Sequence, residues 1–125
     1  MMNELARRAV RCKHWRWMPG MLATCDGRSP LRLAIEVMPY VWWGSDGTRQ
    51  DGGHCLQSDV LPDLNDPATL GCLLALVREA WGCDWLTCQP LFPLVGVHGW
   101  RVMGTSAQSD HPEAAALVAA LEAAP

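Results

Sequence analysis

The chain has 125 residues, a net charge of −3, and a residue content that is half hydrophobic. This predicts one domain, residues 1–125, with its own core, and it argues against a disordered chain. No apolar run reaches the roughly 18 residues of a membrane-spanning helix, and the N-terminal region lacks the apolar core of a signal peptide. We therefore expect a cytoplasmic protein whose six cysteines are reduced.

The charge is distributed unevenly along the chain. Residues 1–32 carry a net charge of +5, and the remainder carries −8. The basic part could face an anionic ligand, a partner, or the acidic surface of the same protein or of a second subunit. An extended nucleic acid is disfavoured as a partner, because the acidic remainder would repel a polyanion.

The first half of the chain predicts one helix followed by several strands. The helix runs from Asn3 to about His14, and its arginines lie opposite its apolar stripe. Strands are expected at Met21–Thr24, at Leu31–Met38, where apolar residues alternate, and at Tyr40–Trp43. A further short strand is expected at 54–57.

The stretch from Leu61 to Gly82 predicts the central packing helix. Asp66 is a suitable N-cap, Pro67 suits the first helical position, and Gly82 can take the left-handed conformation that ends a helix. The apolar residues of this helix recur at helical spacing. They are Leu70, Leu73, Leu74, Val77 and Trp81.

The C-terminal part predicts a hairpin and a final helix. Its strands fall within Asp84–Leu91 and Gly99–Met103, and Asp110 with Glu113 has the spacing of a capping box. Short connections favour an α+β fold, with a mainly antiparallel sheet of four to six short strands packed by three helices in a single domain.

Tryptophan and arginine occur together after the first helix, and two more tryptophans are adjacent on a predicted strand. Indole and guanidinium groups can stack on nucleobases, and arginine binds phosphate. Adjacent strand residues face opposite sides, so one of the paired tryptophans should be exposed. The alternative is that these tryptophans fill a core or an oligomer interface. The candidate ligand-binding residues are Arg11, Trp15, Arg16, Trp17, Trp42 and Trp43.

Signatures of catalysis are missing from the sequence. It contains neither a nucleophile elbow nor a glycine-rich phosphate loop, and we predict no catalytic residue, metal or cofactor. The alternative is a small metal-dependent enzyme built on His54, Cys55, Cys83 and Cys88, although C-x4-C is not the usual zinc spacing.

Three stretches resemble a group of uncharacterised proteins of tailed bacteriophages and prophages. They are Leu5–Met21, with WRWMPGM, Leu61–Gly82, with LPDLNDPATLGCLLALVREAWG, and the alanine-rich Glu113–Pro125. More loosely, the layout is similar to small phage α/β/α sandwich proteins. The resemblance implies a phage accessory protein in the cytoplasm of a bacterial host cell, and it transfers no catalytic residue.

We therefore expect a small non-enzymatic binding protein, a host-defence antagonist that sequesters a nucleotide signal or occludes a host protein. Its expected partners are a nucleotide-like small molecule or a host protein, without an extended nucleic acid and without a membrane. A homo-oligomer is also expected. The alternatives are the metal-dependent enzyme and a structural protein of virion assembly.

Overall fold

The structure is a computed structural model. It describes residues 2–24, 31–35, 41–44, 49–51, 60–90, 99–105, 108–109 and 113–125. These residues form three helices and eight short strands, and neighbouring strands pair antiparallel. The predicted α+β class, its antiparallel pairing and its three helices are confirmed. The strands, however, are divided between two sheets instead of one.

The elements follow one another in the order helix, five strands, helix, three strands, helix. The helices are α1 (Met2–Arg11), α2 (Pro67–Trp81) and α3 (Glu113–Ala123). The strands are β1 (Leu22–Thr24), β2 (Leu31–Ile35), β3 (Val41–Gly44), β4 (Arg49–Asp51), β5 (Leu61–Pro62), β6 (Thr87–Pro90), β7 (Trp100–Met103) and β8 (Gln108–Ser109). Within the described ranges, no helix is both long and apolar enough to cross a bilayer.

The chain divides into two compact units. The central unit is Arg16–Cys72, and the terminal unit combines Met1–Trp15 with Leu73–Pro125. The expectation of a single domain stays a prediction.

The central unit contains the five-stranded sheet, with the strand order β4-β3-β2-β1-β5. Leu31 and Leu33 are buried on one face, as the alternation in their strand predicts. They form an apolar cluster with Ala23 and Val60. The strand predicted at 54–57 lies outside the described residues, and β4 and β5 are too short for their sequences to have indicated them.

The ends of α2 are as the sequence predicts. The backbone N–H of Thr69 donates to Oδ2 of Asp66 at 2.9 Å, which is the bond an N-cap side chain makes. Pro67 is the first helical residue. Gly82 has φ 62°, and this left-handed residue follows the last helical one.

The buried side of α2 differs from the predicted stripe. Leu73 and Val77 are buried as predicted, but Leu70, Leu74 and Trp81 are only partly buried. The buried residues of α2 are Thr69, Leu73, Leu76 and Val77. The buried side of the helix includes Thr69, a polar residue that an apolar pattern overlooks and that is hydrogen-bonded at the start of the helix.

In the terminal unit, α3 packs against α1 and against the three-stranded sheet β6-β7-β8. Trp81 donates its indole N–H to the carbonyl of Ala120 at 2.8 Å. The predicted hairpin is confirmed as β6 paired with β7. The predicted cap Asp110 lies outside the described residues. The helix α1 ends at Arg11, three residues before the predicted end, because the chain turns at Cys12.

Candidate functional site

The six predicted ligand-binding residues fall in both units of the chain. Arg11, which is exposed, and Trp15, which is partly buried, belong to the terminal unit. The other four, Arg16, Trp17, Trp42 and Trp43, belong to the central unit. Whether all six contact a single ligand stays a prediction.

Trp17 is accounted for by packing in the central unit. Its side chain is partly buried and lies against the apolar cluster on the sheet. An indole in that position stabilises the sheet through its large apolar area. The alternative that some of these tryptophans serve as core residues therefore describes Trp17, and the site built below does not depend on it.

The strand register separates the adjacent tryptophans on β3. Trp42 lies opposite Leu33, and Trp43 lies opposite Arg32. Residues directly opposite each other on neighbouring strands share one face of a sheet. By register alone, Trp42 is on the same face of the sheet as Leu33, and Trp43 is on the same face as Arg32.

A second arginine extends this pairing to the next strand. Arg49 on β4 lies opposite Trp43, so three residues are in register across β2, β3 and β4. We call Arg32, Trp43 and Arg49 the Arg–Trp–Arg row. Neighbouring strands are about 4.8 Å apart, so the backbones of the two arginines are about 10 Å apart, with the tryptophan between them. Asp51 follows on the same face of β4, opposite Val41.

Arg32 is held by two acceptors. Its Nη1 donates to the carbonyl of Gly20 at 2.6 Å and to Oδ2 of Asp66 at 3.0 Å, and its Nη2 donates to Oδ1 of Asp66 at 3.0 Å. A bidentate contact of this kind fixes the plane of the guanidinium group. Arg32 is therefore oriented before any ligand arrives.

Asp66 is itself fixed by Thr69. Its Oδ2 accepts from the backbone N–H and the hydroxyl of Thr69, both at 2.9 Å. The hydroxyl oxygen of Thr69 in turn accepts from the backbone N–H of Leu22 at 2.9 Å. A buried threonine thus links the start of α2 to β1, and it satisfies a strand amide that the short β1 would otherwise leave to solvent.

Arg32 and Asp66 form an ion pair whose two members are both charged at neutral pH and differ in exposure. The side chain of Arg32 is 40% exposed and that of Asp66 is 13% exposed, so the cation is the member that reaches solvent. The hydrogen bonds from Arg32, with those from Thr69, lower the pKa of Asp66 to about 2 against the opposing effect of burial. The bonds to Asp66 raise the pKa of Arg32.

The basic face of α1 makes internal ion pairs. Arg8 pairs with Glu122 of α3, and Arg7 lies 3.8 Å from Glu4. The closer partner of Arg8 is thus Glu122 on α3 rather than Glu4, which lies one turn before it in α1. This agrees with the interpretation in which basic residues face acidic ones of the same protein, and it reduces the charge that α1 offers to a ligand.

The metal hypothesis finds no support in the described ranges. Three or more metal-ligating side chains do not come together there. His54 and Cys55 lie outside these ranges, so the metal site built on the four residues stays a prediction. Burial, followed by the nearby Glu113, raises the pKa of Cys88 to about 11, and such a thiol is a poor nucleophile at neutral pH.

Sequence reasoning did not select Arg32 and Arg49 as site residues. Arg32 was recognisable as a charge on the outer side of the clearest strand, but its partners became visible only with the register.

Comparison of the chain with protein-family models, with the sequences of characterised proteins and with solved structures finds no match. The candidate site therefore rests on the geometry of this chain.

Proposed function

We propose that this is a non-enzymatic binding protein of a tailed bacteriophage or prophage, acting in the cytoplasm of the bacterial host. It counters a host process, namely a defence system, by sequestering a nucleotide signal. The observation that carries the proposal is the register of Arg32, Trp43 and Arg49 on one face of the central sheet.

The residue types of the row suit a compact nucleotide. An indole offers a flat surface on which any nucleobase can stack, and guanidinium groups bind phosphate oxygens through paired N–H donors. The paired Nη1 and Nη2 donors of Arg32 are on Asp66, so a phosphate would meet Arg32 as a fixed cation whose side chain is 40% exposed.

Binding is favoured over catalysis by the ionisation of the described side chains. The carboxylate of Asp66 has a pKa of about 2, so it is a weak base. Burial raises the pKa values of Cys72 and Cys88, so both thiols are protonated at neutral pH. General bases and nucleophiles need the opposite shifts.

A second candidate is the occlusion of a host protein, and an exposed patch in the terminal unit favours it. The side chain of Trp85 is 65% exposed, and Met103 on β7 is also exposed. Trp85 lies beside Gly104, the residue after Met103, since a Cβ built on Gly104 would be 2.8 Å from Cη2 of Trp85. Exposed tryptophan and methionine are enriched at protein interfaces, and the expected homo-oligomer could use the same patch.

The test is a titration of the purified protein with linear and cyclic nucleotides, followed by tryptophan fluorescence and by thermal melting. We expect quenching and an increase in Tm with at least one nucleotide. The quenching should be lost in Trp43→Leu and retained in Trp85→Leu, the matched change in the terminal unit.

Sequestration is overturned if no nucleotide alters either signal in the wild-type protein. If Trp85→Leu abolishes binding and Trp43→Leu does not, the nucleotide site is not at the Arg–Trp–Arg row. If Trp43→Leu melts well below the wild type, Arg49→Gln replaces it as the test variant.

A further inference from the structure

Trp85 in the terminal unit is an exposed aromatic residue on a well-anchored stretch of backbone. Its indole ring lies against Gly104, since a Cβ built there would be 2.8 Å from Cη2 and 2.9 Å from Cζ3 of the ring. The next residue, Leu86, is buried, and its carbonyl accepts from Nε of Arg78 at 2.7 Å. Yet the side chain of Trp85 is 65% exposed. A partner would therefore find a large apolar group already in position, and tryptophan is the residue type that most often dominates the centre of an interface.

Opposite charges lie on the two sides of this tryptophan. Arg101 and Met103 are the exposed residues of β7, and because they are two residues apart they share one face of the sheet. β6 runs antiparallel to β7, and its first residue is opposite Met103. The chain therefore enters β6 at the end of the hairpin away from Arg101, and Trp85 and the exposed Asp84 lie at that end. We call Arg101, Met103, Trp85 and Asp84 the Trp85 patch, which has a cation at one end, an apolar centre and an anion at the other end.

We infer that the Trp85 patch binds a second copy of this chain. In the resulting two-fold dimer, Trp85 and Met103 pack against the apolar centre of the other copy. A two-fold interface must be self-complementary, because each contact occurs twice with the roles of the two copies exchanged. A patch with opposite charges at its two ends meets this condition, since half a turn about its centre brings Asp84 of each copy to Arg101 of the other.

The charges also discriminate against other partners. A uniformly acidic or uniformly basic surface on a different protein would meet one favourable and one unfavourable charge at the patch, whereas a second copy meets two favourable ones. This inference does not depend on nucleotide binding. It assigns to a second copy the surface that occlusion of a host protein would otherwise use.

The surroundings of the patch suit the edge of an interface. Thr87 and Gln89 on β6 lie opposite Met103 and Arg101, so they share the same face. Nε2 of Gln89 donates to Oγ1 of Thr87 at 3.2 Å, and together they form a polar rim beside the apolar centre. A tryptophan supplies about 150 to 250 Å² of the roughly 800 Å² that a standard interface buries on each partner. We therefore expect a dissociation constant in the micromolar range.

The test is the mass of the full chain in solution, measured by sedimentation equilibrium from about 1 to about 500 μM. The wild type should reach twice the mass of one chain at the upper end of this range. Asp84→Arg and Arg101→Asp should each raise the dissociation constant by about 10-fold or more, because like charges would then face each other twice in the dimer. The control is Arg11→Asp, which reverses an exposed charge on α1 and should dimerise as the wild type does.

Mixing the two reversed variants is the decisive measurement. In a mixed dimer of Asp84→Arg with Arg101→Asp, each cation faces an anion again at both ends of the interface. An equimolar mixture should therefore recover the dimer at concentrations at which each variant alone is a monomer. Both positions are exposed, so we expect each variant to keep the circular dichroism spectrum of the wild type.

Recovery of the dimer in the mixture would support the inference. A wild type that stays monomeric throughout the range would overturn it and leave the patch to a partner of different sequence. A dimer that neither charge reversal weakens would also overturn it, and so would a mixture that stays monomeric, because the two charges would then not face each other. Nucleotide titration of the monomeric Asp84→Arg variant keeps these results separate from sequestration, since quenching there shows nucleotide binding without the dimer.

Discussion

The central and terminal units use their polar side chains in different ways. In the central unit, Asp66 accepts four hydrogen bonds from Arg32 and Thr69, and Thr69 is buried. In the terminal unit, the corresponding ion pair, Arg8 with Glu122, lies at the surface with both side chains more than a third exposed. Beneath it, α3 buries only apolar residues. They are Ala114, Ala116, Leu117, Val118, Ala120 and Leu121.

This difference indicates where a binding function can be located. A polar network that fixes a guanidinium group also fixes the geometry with which it meets an anion, whereas an alanine-rich helix interface contributes stability without orienting any charged group. If the two units differ in this way, the largest losses of stability in the terminal unit should come from truncating apolar side chains. Changes to polar groups should matter in the central unit and have little effect in the terminal one.

The largest effect is expected from Leu121→Ala in α3. Leu121 is fully buried, so its truncation removes apolar contacts and leaves a cavity, at a cost of about 2 to 5 kcal/mol in the free energy of unfolding. The measurement is urea denaturation followed by circular dichroism. Glu122→Gln, at the exposed neighbouring position, is the control and should cost less than 1 kcal/mol, on the order of a surface pair.

Urea denaturation of Leu121→Ala also tests the single-domain prediction when it is compared with that of Leu33→Ala. Leu33 is a buried residue of the central unit. Both variants should unfold in one transition with a similar decrease in midpoint, because α2 begins in one unit and ends in the other. Two separate transitions, each moved by only one of the variants, would contradict a single domain.

The next effect is expected from Gly104→Ala, which tests the backbone of the terminal unit. Gly104 has φ 96°, and an added Cβ would lie 2.8 Å from the ring of Trp85 and would also clash with Leu86. Backbone strain and overpacking together should lower the free energy of unfolding by about 2 to 4 kcal/mol. The matched control is Gly82→Ala, where φ is also positive but no atom lies within 4 Å, so only about 1 kcal/mol is expected. Equal costs for the two variants would show that the contact with Trp85 has no energetic weight.

Asp66→Ala removes both the cap of α2 and the partner of Arg32, and it should lower the free energy of unfolding by about 2 to 3 kcal/mol. The ion pair contributes the smaller part, because Arg32 is partly solvated. Asp66→Asn keeps an oxygen that can cap α2, so about 1 kcal/mol is expected. If the two variants were equally stable, the cap would contribute nothing.

The same carboxylate predicts a dependence on pH. The pKa of Asp66 is about 2 in the folded protein and 3.8 ordinarily, so the unfolded chain takes up a proton first as the pH falls. Its stabilising contribution is complete above about pH 4 and is lost toward pH 2. Urea midpoints between pH 5 and pH 2 should therefore fall more steeply for the wild type than for Asp66→Asn. Parallel decreases would place the acid sensitivity elsewhere.

The sequence could predict Asp66 as a cap, because capping depends on neighbours along the chain. It could not predict that Arg32, 34 residues away, completes the network, nor that Trp43 lies between two arginines. Those facts depend on strand register, and a shift of one residue would have exchanged the faces of Trp42 and Trp43. The burial of Thr69 was missed for a related reason, since an apolar pattern does not identify a threonine that is buried by its hydrogen bonds.

The smallest effect is expected at the surface pair of the terminal unit, and it is the sharpest test of the contrast. Arg8 and Glu122 join α1 to α3, but their side chains are 47% and 39% exposed, so water screens their attraction. Arg8→Ala should therefore cost less than about 1 kcal/mol. That cost should also shrink in 1 M salt, where the screening length is about 3 Å. The measurement is urea denaturation at low and high salt, with Arg7→Ala, whose partner Glu4 is on the same helix, as the control. A salt-independent cost as large as that of Asp66→Ala would mean that the terminal unit also depends on a specific polar contact, and the contrast between the two units would no longer hold.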